Sequence, residues 1–84
     1  MKNSKKADVT VRVNPEFPIH MKRFVASEYN RMYADGIPSA FEIRAEISRV
    51  REALSEAIFF GEATEGLLCR REVFYLLAED MGLM

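Results

Sequence analysis

Eighty-four residues, 49% apolar and 30% charged with a net charge of −1, describe one small folded domain. Such a balance excludes a disordered chain and a strongly basic nucleic-acid platform. The single Cys69 excludes an intrachain disulfide and suits a reducing compartment. No apolar run approaches the ~18 residues of a membrane span, and the N-terminus lacks a signal-peptide core, so a cytoplasmic location is expected.

Residues 1–7 form a basic arm containing Lys2, Lys5 and Lys6. Met1–Asp35 carries a charge of +3 and Gly36–Met84 a charge of −4, so one end suits phosphate and the other does not. The run Ala7–Pro15, A-D-V-T-V-R-V-N-P, alternates with period two. It predicts a short strand with Val9, Val11 and Val13 on one face and Asp8, Thr10, Arg12 and Asn14 on the other. One strand needs a pairing partner, and no second alternating run exists. The partner is expected from a second copy of the chain or from another protein.

Asn14-Pro15 stops the strand, and Pro18 can delay the following helix until Ile19. Phe17, Met21, Phe24, Val25, Tyr29 and Met32 then keep helical spacing. Gly36 ends that helix, with Pro38 behind it. Ser39-Ala40-Phe41-Glu42 is a capping box. It opens a second helix whose stripe is Ile43, Ile47, Val50, Leu54 and Ala57/Ile58, ending near Phe60-Gly61. After a linker at Gly61–Gly66, with Thr64 as a cap, a third helix is expected over Glu65–Asp80. It is apolar on more than one side, so it is buried on two sides or joins an interface.

The stretch from Ala7 to Ala57 resembles the ribbon-helix-helix superfamily of Arc-like and MetJ-like DNA-binding dimers. Val9-Thr10-Val11-Arg12-Val13 is similar to their strand. Gly36, Ile43, Arg44 and Ile47 match their turn and second helix, although Pro38 stands where a serine is common. The resemblance implies a mainly α fold with one short N-terminal strand, as a ribbon-helix-helix-like dimer plus an added C-terminal helix. Residues 1–84 are one domain: arm 1–7, strand-helix-helix unit 8–60, and C-terminal helix 61–84. It implies a homodimer in which paired strands enter the major groove of double-stranded DNA, as a repressor, antitoxin or plasmid or phage accessory factor. Thr10 and Arg12 would read bases, Ser39 and Ala40 would hold a phosphate at the helix N-terminus, and Lys5 and Lys6 would add phosphate contacts. Val9, Val11, Val13, Ile43, Ile47, Val50 and Leu54 would form the dimer interface. Leu68, Tyr75 and Leu76 on the third helix are candidates for binding a second protein.

A rival reading comes from another class. The chain would be a small helical protein-binding inhibitor or adaptor without DNA contact, working through its acidic half and its third helix. A strand packed within its own chain, or no strand at all, would favour this rival. No catalytic constellation, phosphate loop or metal-ligand spacing is present in the sequence, so no enzyme, cofactor or metal is expected. His20 reads as a surface residue, Cys69 as a buried inert thiol, Glu28 as paired with Arg31 or with an arginine of a partner chain, and Glu79-Asp80 as a solvated helix end.

Overall fold

The computed structural model describes residues 8–84. Three helices make up most of it: α1 (Ile19–Asp35), α2 (Ala40–Phe60) and α3 (Glu65–Asp80). The mainly helical expectation holds, and the second and third helices begin and end where their sequence signals place them. The Ser39 hydroxyl accepts from the Glu42 amide while the Glu42 carboxylate accepts from the Ser39 amide, completing the capping box. At the other end of α2, Gly61 takes a left-handed conformation at φ 72°. There the amides of Gly61 and Glu62 close back onto the carbonyls of Ile58 and Ala57, the Schellman arrangement that glycine permits without a Cβ penalty.

The expected N-terminal strand is absent among the described residues. Val9–Arg12 is instead one turn of 3-10 helix, capped by Asp8, whose carboxylate accepts from the Thr10 amide and hydroxyl. Those bonds hold the Asp8 carboxyl below its usual pKa. A lone strand would leave its backbone groups unpaired, whereas the short turn satisfies several of them locally. Burial supplies the rest of the drive: Val9 and Val13, four residues apart, both enter the core, while Val11 stays 80% exposed. The intersubunit strand pair of the ribbon-helix-helix expectation therefore has no counterpart here.

Helix α3 is central. Both α1 and α2 pack on it, with little direct packing between them. His20 meets Glu65 and Tyr33 meets Asp80, so α1 runs parallel to α3. Glu46 meets Arg70, and the short Gly61–Thr64 connection makes α2 antiparallel to it. This position explains why α3 is apolar on several sides: Cys69, Val73, Phe74, Leu76, Leu77 and Ala78 are all buried. They join Val9, Val13, Met21, Val25, Tyr29 and Ile43 in one core. Val50, Leu54 and Ala57 continue the buried stripe along α2. Among the described residues, no helix is long and apolar enough to cross a membrane.

Candidate functional site

Because α1 and α2 each rest on α3 with little contact between them, a groove remains over α3. One part lies between α1 and α3, lined by Phe24, Glu28, Met32, Arg70, Val73 and Phe74. It joins a wider cleft of about 510 Å³ at Met32, Arg70 and Phe74, bounded across from them by Pro38, Phe41, Glu42, Glu46 and Arg49. Two aromatic walls stand proud of the groove: Phe24 is 51% exposed and Phe41 80% exposed. The sequence placed Phe24 on the buried stripe of α1, yet Met21, Val25 and Tyr29 fill that role.

Charges frame these apolar walls. The Glu46 carboxylate bridges Arg49, at 2.9 Å, and Arg70. Arg70 in turn lies over the ring of Phe74, 5.3 Å from its centroid, a cation–π contact that fixes the guanidinium along the groove floor. Glu28 pairs with Arg31 as expected, which holds its carboxyl below the ordinary value. The groove thus offers aromatic surface with both signs of charge at its edge, the mixture common to protein-binding patches.

A second apolar feature is the C-terminal end of α2, where Ile58, Phe59 and Phe60 are consecutive and exposed. The two phenyl rings meet edge to face with centroids 5.0 Å apart. Of the Ala57/Ile58 position expected on the stripe, only Ala57 is buried, and Ile58 turns outward; Phe41, Phe59 and Phe60 fall outside the stripe, and that displacement is the sequence signal for outward-facing aromatics.

The residues assigned to DNA are distributed differently from the expectation. Lys5 and Lys6, with the rest of the arm, lie outside the described residues. Thr10 donates its hydroxyl to Asp8. Arg12 donates to Asp80 at 2.8 Å, to Glu79 at 3.4 Å and to the Tyr29 hydroxyl at 3.1 Å. Ser39 caps its own helix, and Ala40 is the first residue of α2. Of the residues assigned to a dimer interface, Val9, Val13, Ile43, Val50 and Leu54 are buried within the chain. Ile47 packs at the edge of the core, and Val11 is exposed. Of the third-helix candidates, Leu76 is inside the core, Leu68 packs against it, and Tyr75 is half-buried under Arg71.

Glu79 and Asp80 lie at an exposed helix end, as expected, but Asp80 is not free there. It accepts hydrogen bonds from Tyr29, Tyr33 and Arg12. Burial opposes its ionisation, but those three donors outweigh it and hold the carboxyl below its usual range. No grouping of histidine, cysteine and carboxylates suited to a metal occurs among the described residues. Comparison with protein-family models, curated proteins and solved structures gives no match.

Proposed function

We propose that this chain is a small helical protein-binding module, of the inhibitor or adaptor type, that receives an apolar segment of another protein in the groove over α3. The observation that carries this reading is the pair of aromatic walls, Phe24 and Phe41, exposed on either side of a floor built from Arg70 and Phe74. Aromatic side chains spend little conformational entropy on binding and dominate the energetics of protein interfaces. Here they are carried on the helices α1 and α2, which fix where they stand beside the groove.

Support for the DNA reading falls away at the same residues that suggested it. Arg12 could offer a base its guanidinium fork only by leaving Asp80, Glu79 and Tyr29. The segment bearing it is folded onto the chain's own core. Photo-crosslinkers placed at positions 24 and 41 in the native cell should capture one and the same protein, and a crosslinker at Ser55, which lines neither part of the groove, should not capture it. Tight binding to duplex DNA at ~50 mM salt, with a steep salt dependence, together with no shared crosslink, would overturn the reading.

A further inference from the structure

We propose that the C-terminal end of α2 is a second docking surface, separate from the groove, for a protein helix whose apolar stripe is flanked by lysine or arginine. Ile58, Phe59 and Phe60 are 70%, 80% and 68% exposed. Phe59 and Phe60, whose rings meet, present on the order of 300 Å² of contiguous apolar surface, the scale of the largest patch on a small protein, which is often a contact site. Phe59 lies nine positions beyond the buried Val50, about two and a half helical turns, and therefore on the side of α2 opposite its core face. No rearrangement of α2 on α3 could bury it while Val50, Leu54 and Ala57 remain inside.

Charge selects the occupant. From Glu52 to Cys69 the chain carries Glu52, Glu56, Glu62 and Glu65 and no lysine or arginine. Glu56 precedes Phe59 by three residues and Phe60 by four, so it shares a side of the helix with both rings. Glu52 stands a further turn back on the same line. All four carboxylates are exposed. Glu65 pairs with His20, whereas Glu52, Glu56 and Glu62 take no ion-pair partner among the described residues. An aromatic pair edged by unpaired carboxylates repels a second copy of itself and repels an anionic membrane or nucleic acid. It attracts an apolar stripe bordered by cations. With the groove beside the first turns of α2 and this patch about five helical turns further along it, the chain can bridge two proteins.

The test uses the full chain and a fluorescein-labelled amphipathic peptide of leucine and lysine, about five helical turns long. A leucine–glutamate peptide of the same pattern is the control. The lysine peptide should bind at least about tenfold more tightly than its acidic twin, and raising salt from ~50 mM to ~500 mM should weaken it, because exposed charges are screened over a few ångströms there. Phe59→Ser with Phe60→Ser should weaken binding by about tenfold or more, as loss of an aromatic anchor does, with circular dichroism and thermal midpoint unchanged. Glu52→Gln with Glu56→Gln should remove most of the preference for the lysine peptide. Phe41→Ser, in the groove, should leave binding as it is. Equal binding of the two peptides, or full binding by the Phe59/Phe60 variant, would overturn the proposal. So would a dimer in sedimentation that Phe59→Ser dissolves, which would make a second copy the occupant. Binding to anionic vesicles in preference to the peptide would overturn it in favour of a membrane.

Discussion

Arg12 and Asp80 stand 68 residues apart in sequence and meet at 2.8 Å, tying the N-terminal 3-10 turn to the last turn of α3. The Tyr29 and Tyr33 hydroxyls from α1 converge on the same carboxylate, so three segments of the chain close at one point. Arg12 also lies over the Tyr29 ring, 5.6 Å from its centroid. Replacing Arg12 by alanine should destabilise the fold by about 1 kcal/mol. The side chain is 37% exposed, and solvent screening keeps such pairs near that value. Urea unfolding checks the size of the effect.

The same carboxylate sets an acid limit. Its folded pKa lies below the ordinary aspartate value of 3.8, so its contribution is fully present above that value. It is lost as pH falls through the depressed folded pKa. Stability should therefore drop below about pH 4, and Asp80→Asn should be less stable at neutral pH but flatter in that acid range. Tyr33 marks the alkaline side. Burial first, then its bond to Asp80, raises its phenol above the ordinary 10.0, so stability should fall as pH rises past that value. Melting temperatures measured across the pH range, with Tyr33→Phe as the alkaline control, read both limits.

Val9, Val11 and Val13 separate two conformations that one pattern allows. In a strand all three share a face; in the folded chain Val9 and Val13 are buried and Val11 is exposed. Val13→Ala should cost about 1–3 kcal/mol through lost packing, whereas Val11→Ala should stay within about 0.5 kcal/mol of the parent. Equal effects at the two positions would contradict the packing described.

This ambiguity explains why the pattern reads as a strand while the helices are legible. A spacing of four residues is two strand repeats and also close to one helical turn. Val9 and Val13 therefore fit either period, and only Val11 distinguishes them. Nothing local to V-T-V-R-V reveals that Asp80 and Glu72 wait across the core to receive Arg12 and the Asn14 amide. The helices announce themselves through local chemistry instead: the Ser39–Glu42 box, Gly36, Gly61, and a stripe repeating at three and four. The candidate surfaces lie between these cases. Phe41, Phe59 and Phe60 are visibly off the stripe, but the groove beside Phe41 depends on how far α1 and α2 stand apart on α3.

Ser39 offers a local test of its role. Its hydroxyl is engaged in the capping box, so Ser39→Ala should cost about 1 kcal/mol, and Ser39→Asp should retain most of the stability because aspartate caps equally well. Chemical denaturation of the two variants distinguishes a capping serine from one with no structural task.

Cys69 reports the opening of the core. It is 3% exposed on α3, facing the first turns of α1 near His20 and Met21. Burial first, then the nearby carboxylates of Glu65 and Glu72, raises its thiol pKa, so little thiolate forms and the sulfur is sheltered from reagents. Labelling by a thiol-reactive disulfide should be slow in the native chain and proceed through local or global unfolding. Arg12→Ala, by weakening the point where the 3-10 turn, α1 and α3 meet, should speed labelling about fivefold, the population change expected of about 1 kcal/mol if opening there is global. Phe59→Ser should leave the rate unchanged, since the end of α2 carries no part of that closure. Rapid labelling of the parent chain, or acceleration by Phe59→Ser alone, would show that Cys69 is reached by another route and that α1 is not held on α3 by the Arg12–Asp80 closure.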